Sequence, residues 1–426
     1  MTSADPAVTR AWVLHPDIYN SDDTRDPVRA LDEAVALARA LPGLEVAGAE
    51  VVRLPRPHPG ALFGSGKIDE LHHRLEDAEI ELVLIDGPVT PVQQRNLEKA
   101  WGVKLLDRTG LILEIFSDRA ATREGVLQVE MAALSYQRTR LVRAWTHLER
   151  QRGGLGFVGG PGETQIEADR RAIDDQLVRL RRQLDKVIRT RTLHREARAK
   201  VPFPIVALVG YTNAGKSTLF NRLTGAEVMA KDMLFATLDP TMRKVSLPGG
   251  GPDVILSDTV GFISDLPTEL VAAFRATLEE VVSADLICHV RDISHPETEQ
   301  QAEDVAAIME SLAVDEAIPR IEIWNKVDLL DAEEGATLRT RAARREDVVI
   351  LSAVTGEGLD DFVAKASKAV TGIQIETELS LGFDDGRRRA WLYEQGVVQT
   401  EKQTDDGFEL VVRWTSRQAS TFEDMS

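Results

Sequence analysis

Eight consecutive residues, Gly210, Tyr211, Thr212, Asn213, Ala214, Gly215, Lys216 and Ser217, fit the pattern GxxxxGK[ST] at every fixed position. Such a loop wraps a polyphosphate. Its backbone N–H groups curl round the oxygens, and the helix it opens adds partial positive charge. Lys216 is placed to reach the β- and γ-phosphates, and the Ser217 hydroxyl to bind Mg²⁺. The context fits: the apolar run 205–209 reads as a strand, and Ser217, Thr218 and Leu219 open a helix. Asp258, Thr259, Val260 and Gly261 follow the next strand-like run, 254–256. An aspartate at that strand end can hold the Mg²⁺ shell. The Gly261 N–H can touch a γ-phosphate only while one is bound, which makes a nucleotide-state sensor. Lys216 and Gly261 are therefore the residues expected to act in catalysis.

Asn325, Lys326, Val327 and Asp328 follow a third strand-like run, 321–324. A carboxylate at Asp328 can accept from guanine N1–H and N2–H₂, a pair that adenine lacks. A site built to satisfy a polar pair rejects the analogue without it. Asn325 is expected to tie this loop to the phosphate loop, and the Lys326 stem to pack on the base. Ser352, Ala353 and Val354, after the run 347–351, would supply a backbone N–H for guanine O6. The order of these motifs points to GTP rather than ATP. Between the phosphate loop and Asp258, Thr237 and Thr241 both have the hydroxyl that a γ-phosphate-sensing segment needs. The residue after Gly261 is Phe262, where Ras-like enzymes place a water-orienting glutamine. Slow intrinsic hydrolysis, accelerated by a partner, is the expectation.

The elements that position these residues divide the chain of 426 residues into four parts. Residues 1–120 alternate strand-like runs (12–14, 51–52, 82–85) with helical patterns (28–40, 67–77, 91–100), as a small parallel α/β domain does. Gly64, Ser65, Gly66 and Lys67 imitate a phosphate loop. However, Gly60 stands one residue too far from Gly66, and Ile68 replaces the hydroxyl, so a turn opening a helix is expected. Residues 121–201 carry apolar seams through Leu127, Met131, Leu134, Leu141, Trp145 and Leu148, then Ile173, Leu177, Leu180, Leu184 and Val187. A period near 3.5 predicts two long helices side by side. The run 153–162 (GGLGFVGGPG) between them should be a non-helical, glycine-rich tip. Residues 202–371 read as a doubly wound α/β domain, with strands near 205–209, 254–257, 285–290, 319–324 and 347–351. Its helices are expected at 217–223, 267–282, 298–312 and 358–370. Residues 372–426 read as a short α/β or β-rich domain with strands at 373–381 and 409–414, a turn at 405–407 and a frayed end from Ser416.

Composition narrows the class. The single cysteine, Cys288, excludes an internal disulfide and fits a reducing, cytoplasmic setting. The eight histidines show no metal-ligand spacing, so a zinc enzyme is nearly excluded. No run approaches the roughly 20 apolar residues of a membrane span, and no secretory leader pattern opens the chain. The net charge of -18 conceals one basic element: residues 121–201 hold 17 Lys/Arg against 10 Asp/Glu. Arg138, Arg140, Arg143, Arg150 and Arg152 approach the tip on the outside of the first helix, and Arg170, Arg171, Arg179, Arg181 and Arg182 leave it on the second. A cationic arm on an acidic protein favours phosphate-backbone contact with RNA.

On these motifs the chain resembles the HflX family of ribosome-associated GTPases over nearly its whole length. The resemblance rests on GYTNAGKS, FATLDPT, DTVGFI, NKVD and SAV in order. It rests also on QRNLE at 94–98, DRT at 107–109, Ile115 and Phe116, Arg119 and Ala120, QVE at 128–130 and GPGET at 160–164. One departure is Phe157, Val158 and Gly159 in the tip, where an arginine is often found. The resemblance implies a P-loop, Ras-like GTPase domain preceded by the α/β domain and the antiparallel hairpin. It implies that Phe235, Ala236, Thr237, Leu238 and Asp239 form switch I, with Thr237 as a Mg²⁺ ligand beside Ser217. It implies GTP and GDP as ligands, and the rRNA of the large ribosomal subunit as partner near the peptidyl-transferase centre. It implies splitting or rescue of stalled ribosomes under stress. A cytoplasmic monomer is expected, with peripheral membrane association left open. The competing reading is a signalling switch whose hairpin is a protein-interaction coiled coil, without RNA.

Overall fold

The computed structural model describes residues 8–19, 25–151, 161–198, 203–226, 233–238, 240–247, 253–264, 278–371, 375–404, 406–414, 416–423 and 425. Residues 153–160 of the glycine tip 153–162, Arg152, Asp239 and most of the expected helix 267–282 lie outside these residues, as do the side chains of Arg143, Trp145, Leu148 and Arg150.

Three sheets organise the described residues. The first is parallel, in the order β2-β1-β3-β4, from β1 (Thr9–Ile18), β2 (Leu44–Leu54), β3 (Leu82–Ile85) and β4 (Lys104–Asp107). Its helices are α1 (Pro27–Ala40), α2 (Ser65–Asp77), α3 (Pro91–Trp101) and α4 (Arg108–Arg119). Local chemistry sets their starts. Asp26 accepts from the Val28 and Arg29 N–H groups ahead of Pro27, and Thr90 and Gln93 close a capping box. Gly64 is the N-cap of α2, and Lys67 pairs with Glu50 and Glu70, so this glycine pair opens an ordinary helix.

The hairpin consists of α5 (Arg123–Gln151) and α6 (Pro161–Arg198). Leu127 and Leu180 are buried, and Met131, Leu134, Ile173, Leu177, Leu184 and Val187 are partly buried, so the described seam residues face inward. Pro161 and Gly162, expected in the non-helical tip, instead form the first turn of α6. Proline is tolerated at the first helical position because its missing N–H would have no helical partner there. Arg140 was expected on the outside. It reaches inward instead, donating to Asp107 at 3.0 Å, to the Tyr136 hydroxyl and to Gln94. Arg170, Arg171, Arg179, Arg181 and Arg182 are exposed, and the Arg138–Asp174 pair at 2.8 Å joins the two helices.

The second sheet has the order β10-β9-β8-β5-β7-β6. Its strands are β5 (Ile205–Gly210), β6 (Thr241–Ser246), β7 (Asp253–Asp258), β8 (Leu286–Asp292), β9 (Arg320–Asn325) and β10 (Val348–Ile350). All pairings are parallel except β6 with β7. The helices are α7 (Lys216–Thr224), α8 (Glu279–Val282), α9 (Thr298–Ser311), α10 (Ala332–Ala342) and α11 (Leu359–Thr371). The central strand β5 is apolar, β8 is apolar through Leu286, Ile287, Cys288 and Val290, and both are buried on both faces, as a covered parallel sheet requires.

The third sheet, β11-β13-β12, is antiparallel: β11 (Ile375–Gly382), β12 (Val398–Gln403) and β13 (Gly407–Trp414). Helix α12 (Gly386–Glu394) accompanies it. The expected frayed end is a helix, α13 (Ser416–Glu423), because Phe422 is buried against Trp391 and Trp414, with ring centroids 5.9 Å and 5.2 Å away. Apolar packing of one ring supplies what the polar sequence of that helix lacks.

One core cluster spans the first and second sheets. It holds Leu111, Ile112, Ile115 and Phe116 of α4 together with Leu234, Phe235, Leu238, Val260, Phe262 and Ile263. The expected site residues therefore lie against the N-terminal domain as well as on their own sheet.

Candidate functional site

The site stands at the carboxyl ends of β5, β7 and β9, where an open α/β sheet presents its loops. β5 ends at Gly210 and α7 begins at Lys216. The intervening loop needs left-handed backbone at Asn213 (φ 58°) and Gly215 (φ 97°). Gly215 also has no room for a side chain, since a Cβ there would stand 2.1 Å from Asn325 Nδ2. Asn325 Nδ2 donates to the Ala214 carbonyl at 2.8 Å, and Asn325 Oδ1 accepts the Ala353 N–H at 2.9 Å. One buried amide thus joins the phosphate loop, the NKVD loop and the SAV loop.

Lys216 is buried, and its Nζ donates to the carbonyls of Gly210 at 3.1 Å and Tyr211 at 2.8 Å. Burial pulls its pKa down to about 8, against the opposing pull of the Asp258 charge. Gly261 lies over it: a Cβ there would meet Thr212 Cα at 2.8 Å and Lys216 Nζ at 3.0 Å. Only glycine permits that approach.

Three oxygens converge beside the lysine. Asp258 Oδ2 accepts from Ser217 Oγ at 2.7 Å and Thr237 Oγ1 at 2.9 Å, and the two hydroxyls are 3.0 Å apart. Asp258 is fully buried, and its Oδ1 has no partner among the described residues. Burial pushes its carboxyl up, against the Ser217 bond, the Lys216 charge and the Thr237 bond. A hard cation of the Mg²⁺ type takes oxygen donors of this kind, and the orphaned carboxylate oxygen leaves one valence of the set unmet. The donor set fits such an ion. Of the two threonines that chemistry allows, the structure brings Thr237 to this point. Thr241 begins β6, in register with Asp258.

The other expected residues fall into two groups. Thr212, Asn213, Ala236 and Thr259 line the same cavity as Lys216, Ser217, Phe235, Thr237 and Gly261. The Tyr211, Phe235, Leu238 and Val260 side chains are all buried in the shared core, so Tyr211, Leu238 and Val260 offer a ligand chiefly their backbone. Phe262 is also core, at 1 % exposure, while its carbonyl accepts the Thr212 N–H at 2.7 Å.

Across the site, Asp328 is exposed on a short 3₁₀ turn (Val327–Leu329), with Val327 buried beneath it. Lys326 is in the left-handed region (φ 66°), and its Nζ pairs with Asp292 Oδ2 at 2.8 Å. Ser352 is buried and its hydroxyl accepts the Thr355 N–H, while Val354 is exposed. Sequence reasoning missed two supports. Arg222 of α7 donates to the Val354 and Thr355 carbonyls at 2.9 Å each, and Asp292 at the end of β8 holds Lys326. The cationic residue in the last turn of α7 and the aspartate at a strand's carboxyl end were the available signals.

Residues 28–117 match a family model described as GTP-binding GTPase N-terminal, and 119–198 one described as GTP-binding GTPase Middle Region. Residues 205–326 match 50S ribosome-binding GTPase, and 337–425 match HflX C-terminal domain. A GTPase HflX from Magnetococcus marinus is 50% identical over 390 residues, which cover 91% of this chain and 89% of that protein. The GTPase HflX of Escherichia coli is 43% identical over 351 residues, 82% of each chain. The solved structure of a GTP-binding protein from Sulfolobus solfataricus in complex with GDP aligns with a TM-score of 0.46 at 21% identity, covering 85% of this chain and 99% of that one. No helix among the described residues is long and apolar enough to cross a membrane.

Proposed function

The chain belongs to the HflX family of GTPases, and from that premise we propose that it is a cytoplasmic, monomeric factor that docks on the large ribosomal subunit when loaded with GTP and splits or rescues stalled ribosomes. It is a hydrolase acting on GTP. In the proposed scheme Lys216 holds the β- and γ-phosphates, and the Gly261 N–H senses the γ-phosphate. Ser217 and Thr237 hold Mg²⁺, with Asp258 behind them. When bound, that ion neutralises charge on the phosphate oxygens. Asp328 reads guanine N1–H and N2–H₂, and Asn325 keeps its loop in register with the phosphate loop. The functional units are 1–120, the hairpin 121–201, the GTPase domain 202–371 and a C-terminal domain, 372–426.

The ribosomal half of the proposal is carried by one observation: the exposed arginines of α6 in a protein whose net charge is -18. A cationic face on an acidic chain is a footprint for a phosphate backbone, and its binding must weaken as salt rises. Support also comes from the name of the family model that matches residues 205–326.

The test is co-sedimentation with purified large subunits, in a non-hydrolysable GTP analogue and in GDP, across a salt series. Analogue-dependent, salt-sensitive binding is the expected result. Binding that ignores salt, or no binding in either state, would favour the protein-interaction reading of the hairpin.

A further inference from the structure

Ser264 lies three residues beyond Gly261, and every polar group of that serine is engaged from outside its own segment. Arg108 Nη2, at the start of α4, donates to the Ser264 carbonyl at 2.8 Å. The Ser264 N–H donates to the Tyr211 hydroxyl at 2.8 Å, and the Ser264 Oγ donates to Asp304 Oδ2 at 2.6 Å. Glu33 of α1 joins the two holders: its Oε1 accepts from Arg108 at 2.5 Å, and its Oε2 accepts from the Tyr211 hydroxyl. Behind Arg108, Asp86 Oδ1 accepts from Nη1 at 2.6 Å, and Asp86 Oδ2 meets His15 Nδ1 at 2.8 Å.

Arg108 is 6 % exposed and sits among carboxylates. Burial disfavours its charge, but Asp86 and Glu33 more than offset this and hold it protonated. Those two acids already balance the charge of a buried guanidinium within its own domain. Here it spans three acceptors with its fixed fork, and the third belongs to the segment leaving Gly261. The same face of α4 carries Phe116, eight residues on, whose ring meets Phe235 beside Thr237. One helix of the N-terminal domain therefore touches both segments that flank the γ-phosphate position.

We propose that Arg108 is a positioning residue for GTP hydrolysis, fixing the Ser264 carbonyl and through it the placement of Gly261 over Lys216. It touches no substrate. It acts by keeping the sensor segment in one arrangement, and misplacement of such a segment lowers turnover more than it lowers binding. This inference goes beyond the ribosomal reading, and its test contains no ribosomes.

The experiment measures steady-state GTP hydrolysis by the full chain, with kcat and KM separated and thermal stability read alongside. Arg108→Ala should lower kcat about tenfold while KM for GTP stays within about threefold. Arg108→Lys should recover only part of kcat, because a single ammonium cannot serve Asp86, Glu33 and Ser264 together. The double variant Arg108→Ala, Asp86→Asn removes the charge of the Asp86 carboxylate, which without Arg108 keeps only His15. It should regain thermal stability without regaining kcat, and it carries the test by itself should the single alanine variant fail to fold. A wild-type kcat in the alanine variant, or a kcat that returns together with stability in the double variant, would show that Arg108 is merely structural and overturn the proposal.

Discussion

The ring of Phe116, on the N-terminal domain, meets the ring of Phe235, two residues before Thr237, edge to face: the centroids are 4.6 Å apart and the planes 78° apart. Phe235 holds a left-handed backbone (φ 55°), which a bulky residue adopts only when its surroundings over-determine it. The contact supplies that constraint. Phe116→Ala should therefore cost about 3–5 kcal/mol of stability, the usual range for emptying a buried aromatic site. Of this, roughly 0.5–1.5 kcal/mol belongs to the ring pair itself. Urea denaturation of the full chain, compared with Phe116→Leu, measures both. A loss under about 1 kcal/mol in the alanine variant would mean that the two domains do not share this core.

Asp328→Asn should weaken GTP binding by about 100-fold or more, because the amide presents a donor where guanine also donates. Asp328 is exposed and its loop is held by Asn325, so the fold should be spared. Competition of GTP, ATP and XTP for the purified variant reads the change. Undiminished preference for GTP would remove Asp328 from the base contact.

The pH dependence of Lys216 has a definite sign. Its folded pKa, about 8, lies below the ordinary lysine value, so folding favours the neutral amine relative to the unfolded chain. Between about pH 8 and the unfolded lysine pKa of about 10.4 the unfolded chain binds more protons, so stability of the nucleotide-free protein rises through that window from this group. A bound triphosphate reverses the preference by favouring the ammonium. GTP binding near pH 8.5 should therefore take up protons, seen in calorimetry as a heat that depends on buffer ionisation enthalpy. In Lys216→Ala that dependence should vanish along with most of the affinity.

Phe262 stands where a water-orienting glutamine stands in Ras-like enzymes, and the structure shows it inside the shared core. Phe262→Gln should not speed hydrolysis. It should destabilise the protein by roughly 2–5 kcal/mol, since it empties part of an apolar site and buries an amide there. Turnover and thermal melting together check this. A faster variant would place the side chain at the nucleotide after all.

Reversing Arg179 and Arg182 to glutamate should weaken large-subunit binding at physiological salt by at least about tenfold and flatten its salt dependence. Nucleotide affinity should not change, because both side chains are exposed on α6. Unaltered sedimentation would take that face out of the contact.

Much of this was legible in the primary structure, for a specific reason. Residues 210–217, 258–261 and 325–328 are motifs whose side-chain types and strand-to-loop setting are dictated by the ligand itself. The apolar β5 and β8 and the seams of the hairpin are likewise long, regular signals. Most of the missed elements are short or polar; α4 (Arg108–Arg119) is neither, but its run LILEIF is apolar nearly all round, so no helical period shows in it. β6 (TMRKVS) is an edge strand, β12 (VQTEKQ) gains its place only by pairing with β13, and α13 is helical because Phe422 finds a pocket between two tryptophans. None of these carries its reason locally.

The linear order of residues determined the nucleotide chemistry, the sheet that presents it and the charge of the arm, because each depends on composition and spacing within one segment. Side-chain chemistry left Thr237 and Thr241 equal, and family resemblance pointed to Thr237, which the tertiary structure brings to Asp258 with Ser217; tertiary structure alone decided that Arg140 turns inward and that Arg108 reaches Ser264 across 156 positions. Those outcomes follow from which buried donors and acceptors meet once separate cores have merged, and no local pattern encodes that meeting.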